Sequence, residues 1–164
     1  MKKLYVVGNK ASKSLSPTIF NYWFKKYNIK ARYGYLELTE KNFHNKIKDV
    51  LEKKDTLGLN VTIPFKNKII KHLGKIDAHA KKIGAVNCVT NKKTINGTNT
   101  DWTGYYKTLP NIKKTKNRKV IILGYGGASH AIQYVLKKRG FKNILIFNRS
   151  KKKIKYSNKT EYTK

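Results

Sequence analysis

The sequence is short of acid. Eight Asp and Glu stand against 38 Lys and Arg, a formal net charge of +30 over 164 residues. It is also short of arginine: Arg32, Arg118, Arg139 and Arg149 are the only four. Specific phosphate and base readout favours arginine forks, and the lysines are spread through every segment instead of forming one stripe. The basicity therefore reads as compositional drift, in company with abundant Asn, Ile and Tyr, whose codons are rich in A and T. No specific nucleic-acid partner is expected. A basic nucleic-acid-binding module remains the reading from a different class, and it predicts tight, steeply salt-dependent DNA binding.

Other scarcities narrow the field further. The single cysteine, Cys88, excludes an intramolecular disulfide and suits a reducing compartment. No stretch approaches the ~20 apolar residues of a membrane span. The apolar run at 4–7 is too short for the h-region of a signal peptide. A cytoplasmic chain without a membrane partner is expected. What is present suffices for a core: hydrophobic residues make up 39% and aromatic residues 12%, which argues against wholesale disorder.

Strand and helix patterns alternate along the chain. "KLYVVG" (3–8), "ARYGYLEL" (31–38) and "LGLNVTI" (57–63) read as strands. "SLSPTIFNYWFKKYN" reads as a helix, with Ser16 as N-cap, Pro17 at the first helical position, and Ile19, Trp23, Phe24 and Tyr27 as a core stripe. Residues 39–54 read as an amphipathic helix with Phe43, Ile47, Val50 and Leu51 inward. Pro64 is expected to start another helix, and "DAHAKKIG" a short one ended by Gly84. "AVNCVT" (85–90) and a short strand within 91–101 follow. The lysine-rich, proline-containing stretch after residue 108 reads as a linker. Beyond it, "KVIILG", "GGASHAIQYVLKKRG" and "KNILIFNRS" form one βαβ unit. The last residues begin like a helix and lose apolar periodicity. The pattern predicts an α/β protein: a three-layer first domain with a mainly parallel sheet over residues 1–108, a linker at 109–118, and the start of a Rossmann domain over 119–164.

"GYGGAS" (124–129) falls at the turn between a predicted strand and helix, where glycines admit a pyrophosphate to free helix N–H groups. Ser129 stands where the fingerprint wants its third glycine. A tight βα turn without a ligand is the plainer alternative. The next strand ends in Arg149, where an NAD site carries Asp or Glu; arginine favours the 2′-phosphate of NADP, and Lys153 could add a second positive contact. A surface arginine is the competing reading. In the first half, "SLS", "NVT" with Lys66, "AVN" and "NTD" lie at predicted strand ends or turns, where open α/β sheets gather their sites. Ser14 and Ser16 at a helix start suit a carboxylate, although Ser16 could simply cap. Asn60, Thr62, Asn87 and Asp101 also have ordinary turn and cap roles open to them.

Taken together, "SKSLSP", "NVTIPFK", "GAVNCV", "GTNTDWTGY", "GYGGASHA" and "FNRS" resemble shikimate dehydrogenase, in that family's order, over residues 4 to about 155. The resemblance implies a two-domain oxidoreductase that reversibly reduces 3-dehydroshikimate to shikimate with NADPH, in aromatic amino-acid biosynthesis. It implies that Ser14 and Ser16 bind the substrate carboxylate. Thr62, Lys66, Asn87 and Asp101 would hold the ring hydroxyls with Asn60 nearby, and Lys66 and Asp101 would be the catalytic pair. Gly124, Gly126, Gly127, Ala128 and Ser129 would face the pyrophosphate. Asn148, Arg149, Ser150 and Lys153 would recognise the adenosine 2′-phosphate. No metal is expected, and a homodimer is the assembly allowed for.

The sequence departs from the family at Tyr125 inside the phosphate turn, at His130 in place of a common arginine, and at Trp102 after Asp101. The further strands of a doubly wound domain, with a substrate-binding tyrosine and glutamine, are not found. The expectation is a truncated enzyme, with "NILIFN" beside an unpaired edge. A quinate/shikimate dehydrogenase using NAD and an inactive fragment are the alternatives.

Overall fold

β1 (Lys2–Gly8) lies between β2 (Ala31–Glu37) and β3 (Thr56–Val61) and is parallel to both. In this computed structural model, which describes residues 1–111, 115–148 and 159–162, side chains alternate across β1 as strand geometry requires. Leu4 and Val6 join one core cluster, and Tyr5 and Val7 the other. On the first face lies α1 (Ser16–Lys26), whose Phe20 and Phe24 pack with Val6, Ala11 and Tyr33. On the second lies α2 (Phe43–Leu51), whose Phe43, Ile47 and Leu51 are buried against Val7, Leu59, Val61 and Phe65. The Phe43 and Phe65 rings stack at 4.2 Å. Truncating a buried phenylalanine of this kind costs about 3–5 kcal/mol.

β4 (Lys75–Ile76), β5 (Cys88–Asn91) and β6 (Ile95–Thr98) complete a six-stranded sheet in the order β2-β1-β3-β5-β6-β4. β5 runs antiparallel to both β3 and β6, while β4 is parallel to β6. α3 (Ala78–Ile83) starts under the Asp77 carboxylate, which accepts from His79 N and Ala80 N. It stops at Gly84, whose φ of 75° suits glycine. α4 (Asp101–Thr108) leads to a second sheet of β7 (Lys119–Leu123), β8 (Asn143–Asn148) and β9 (Lys159–Tyr162), with α5 (Gly127–Lys138) crossing between β7 and β8. Both pairings in that sheet are parallel. Tyr105 and Leu109 pack into its core of Ile122, Leu136, Phe141, Ile144 and Ile146, so α4 ties the two sheets together.

The architecture is the expected α/β one with a mostly parallel first sheet, and five local expectations change. Leu15, not Ser16, occupies the N-cap of α1, and the cap work passes to Ser14, whose Oγ accepts from Ser16 N at 3.2 Å. Of the expected stripe only Phe24 reaches the core: Ile19, Trp23 and Tyr27 are 43%, 45% and 64% exposed, because α1 meets the sheet through Phe20 and Phe24. No α-helix starts at Pro64. Phe65 N donates to Thr62 O in a turn, and a short 3₁₀ segment forms only at Lys68–His72, drawing Phe65 and Ile69 inward. α4 was not expected at all. Finally, β8 is not left with a bare edge: β9 pairs with it from Leu145↔Lys159 to Asn148↔Tyr162.

Candidate active site

Lys66 is fixed by its neighbours on both sides. Phe65 is fully buried, and Lys66 O accepts from Val86 N at 2.7 Å. The side chain is 14% exposed, and its Nζ donates to Asp101 Oδ2 at 2.7 Å. Asp101 opens α4, where a carboxylate faces the positive end of the helix dipole. Its other oxygen accepts from Asn87 Nδ2 at 2.6 Å. Asn87 in turn receives Thr100 N at 2.8 Å. Beneath them Asn99, only 3% exposed, donates to Ala85 O and accepts from Asp101 N and Trp102 N. Three separate turns thus converge on one ammonium and one carboxylate; the carboxylate accepts from both Lys66 and Asn87, and the ammonium spends one of its three donors on Asp101.

A second polar row runs along the end of β3 and the start of α1. Ser14 Oγ and Ser16 Oγ are 3.1 Å apart. Asn60 Oδ1 accepts from the Tyr33 hydroxyl at 2.6 Å. Burial pushes the Tyr33 phenol up to about 12, the Cys88 sulfur adds to this, and a hydrogen bond with Ser16 pulls the other way. Thr62 lies two residues beyond Asn60 on the same strand path, packed over Gly8, where an added Cβ would sit 2.4 Å from Thr62 Cγ2. The structure therefore joins Lys66, Asn87 and Asp101 directly, pairs Ser14 with Ser16, and pairs Asn60 with Tyr33.

The glycine turn faces this constellation. Gly124 has φ 95° and donates its N–H to Phe147 O. Tyr125 N donates to Asn148 Oδ1 at 3.1 Å, so Asn148 braces the turn from β8. Gly126 is the N-cap of α5 and Gly127 and Ala128 are in its first turn, where backbone N–H groups lack intrahelical acceptors. An added Cβ would meet nothing within 4 Å at Gly124 or Gly126; at Gly127 it would lie 3.1 Å from Lys66 Cδ. A cleft of about 420 Å³ opens here, lined by Lys66, Asn67, Tyr125, Gly126, Gly127 and His130 among others. Ser129 does not line it: it is 5% exposed, with Oγ donating to Gly126 O. Arg149, Ser150 and Lys153 lie outside the described residues. Among the described residues no group of three or more His, Cys, Asp or Glu could hold a metal ion, and no helix is long and apolar enough to cross a membrane.

Sequence reasoning missed Tyr33, Asn99 and Thr100. Asn99 carried a signal, since Asn two residues before a helix start is an Asx-turn cap. Tyr33 carried none beyond its inward place in an alternating strand.

The family model described as shikimate dehydrogenase substrate binding domain matches residues 6–89. The shikimate dehydrogenase (NADP(+)) of Oceanobacillus iheyensis is 38% identical over 154 residues, covering 90% of this chain and 55% of that protein. The chain thus spans about half the length of the curated relatives it matches. The crystal structure of shikimate dehydrogenase 1 from Peptoclostridium difficile superposes with a TM-score of 0.83 at 30% identity, over 99% of this chain and 61% of that one. The Thermus thermophilus enzyme, solved in complex with NADP(H) and shikimate, gives 0.75 at 26% identity over 92% and 57%. On the family match and these likenesses, the chain belongs to the shikimate dehydrogenase family.

Proposed function

We propose that residues 1–108 form a shikimate-binding catalytic unit, joined by 109–118 to the start, over 119–164, of a nucleotide-binding unit, and that they serve the reversible NADPH-dependent reduction of 3-dehydroshikimate to shikimate. The observation that carries this is the Lys66–Asp101–Asn87 constellation set against the glycine turn. The turn suits a dinucleotide: Gly124 and Gly126 leave open space where side chains would stand, and the first N–H groups of α5 lack intrahelical acceptors and can face phosphate. Gly124, Gly126, Gly127 and Ala128 would hold the pyrophosphate. Asn148 would brace them, with Arg149, Ser150 and Lys153 toward the 2′-phosphate, as their order in the sequence suggests. The relatives named shikimate dehydrogenase (NADP(+)) support this cofactor.

When bound, NADPH supplies a hydride to the substrate carbonyl. The chain's own part is to manage the oxygen. As that oxygen gains negative charge, the Lys66 ammonium supplies a nearby cation and then a proton. In the reverse direction the same amine takes the hydroxyl proton. Asp101 holds Nζ on the pocket side, and Asn87 holds Asp101. Ser14 and Ser16 offer hydroxyls to the substrate carboxylate. The test is calorimetric titration of the purified chain with shikimate and with NADP⁺. Shikimate binding that weakens in Lys66→Ala supports the reading; no shikimate binding at millimolar concentration would overturn it.

A further inference from the structure

Tyr33 is held in every part by its neighbours. Its ring stacks on Phe20 at 4.7 Å. Asn21, from α1, grips its backbone twice, donating Nδ2 to Tyr33 O at 2.8 Å and accepting from Tyr33 N at 2.9 Å. The residue is 2% exposed. With ring and backbone fixed, the phenol oxygen is held against Asn60. The phenol, raised further above its ordinary value near 10 by burial, is protonated across the neutral range and has an O–H to donate. The acceptor it finds is Asn60 Oδ1 at 2.6 Å.

A primary amide carries one acceptor oxygen and one donor NH₂. Once its oxygen is taken from below, Asn60 must turn Nδ2 away from Tyr33. Among the described residues nothing accepts from that nitrogen. We infer that Tyr33 is a substrate-positioning residue: it locks the Asn60 amide with its donor toward the ligand. Asn60 then meets an oxygen acceptor of the substrate and discriminates against a group that can only donate. A freely flipping amide would offer either end and select neither. The inference rests on the reading of this pocket as a shikimate site.

The experiment is a double-mutant cycle on shikimate affinity, measured calorimetrically on the full chain. Tyr33→Phe keeps the ring stack and deletes only the hydroxyl. It is expected to weaken shikimate binding about ten-fold, near the upper range for one hydrogen bond. In the Asn60→Ala background the same change should alter affinity less than about two-fold, because its target is gone. A purely structural role would instead produce equal losses in both backgrounds, and that result overturns the inference. So does Tyr33→Phe binding as tightly as wild type. Failure of the wild-type chain to bind shikimate overturns the site reading itself, and the inference with it. A measurement on the unaltered chain stands beside the cycle: the ¹⁵N-resolved Asn60 side-chain amide protons should shift on adding shikimate. Protons that do not move would count against the inference even if Tyr33→Phe did not fold.

Discussion

Lys66 Nζ and Asp101 Oδ2 are 2.7 Å apart although 35 residues separate them in the chain. The pair is neither fully exposed nor fully buried, at 14% and 30% side-chain exposure. Its break should therefore cost less than the loss of a buried pair and more than that of a surface one, about 1–2 kcal/mol. Asp101 keeps Asn87 and the helix end as partners. Lys66→Ala should consequently still fold, with a urea midpoint lowered by about 0.5–1 M. Shikimate affinity should fall at least ten-fold, and turnover in the assembled active site by about 10²–10⁴-fold. Urea titration and calorimetry on the same sample check both halves, and a variant that binds like wild type would remove Lys66 from the site.

Asn99 supports that pair from below. One side chain satisfies Ala85 O, Asp101 N and Trp102 N in a place that is almost dry. Asn99→Ala would orphan all three groups and uncap α4. The expected loss is about 2 kcal/mol. Asn99→Asp should recover part of it, because a carboxylate still accepts from the two N–H groups while facing Ala85 O unfavourably. Urea denaturation of the two variants should rank them wild type, Asp, Ala; Ala equal to wild type would show that water replaces the amide.

What could be read from the sequence followed from short-range physics. Strands with period-two burial, α2 with Phe43, Ile47 and Leu51, and Gly84 as a helix stop needed only local pattern. Polar residues at strand ends pointed to Lys66, Asn87 and Asp101, and the structure joins those three. The misreadings came from tertiary context. The pattern of α1 marks a buried stripe equally well at Ile19 and at Phe20, and only the position of β2 decides between them. Pro64 looks like a helix start, but the backbone there must present Lys66 O to Val86 N. β9 lacks any apolar alternation and is held by its backbone pairing to β8. Tyr33 could not be found at all, since its role depends on Asn60, 27 residues away.

Gly126 and Gly127 are neighbours with different neighbours of their own. A Cβ on Gly126 would enter open space, while one on Gly127 would meet Lys66 Cδ at 3.1 Å and Cβ at 3.4 Å. Gly127→Ala should therefore push Lys66 aside and weaken shikimate binding several-fold, although it lies in the nucleotide turn. Gly126→Ala should leave shikimate affinity unchanged. Both should weaken NADP⁺, whose phosphates need close backbone approach. Parallel titrations with the two ligands separate these effects, and equal shikimate affinity in the two variants would mean the turn and Lys66 stand apart in solution.

The last prediction concerns pH. His72 Nε2 lies 2.8 Å from His44 Nδ1, and both rings meet Phe43 edge-on. Burial first, then His44 and Lys71, hold His72 below the usual histidine range. Its folded pKa is thus lower than its unfolded one, near 6.5. Between the two values the unfolded chain binds more protons, so stability rises with pH. The contribution is complete above about pH 6.5 and is lost as pH falls through the folded pKa. Glu37 and Asp55 are held low by Ser12 and Lys3, so their losses begin only at more acidic pH. The urea midpoint should drop between about pH 7.5 and 5.5, and His72→Gln should flatten the drop by removing the group that titrates. His44→Gln should flatten it partly, since burial and Lys71 remain. A slope in His72→Gln as steep as in wild type would assign the acid sensitivity to another group.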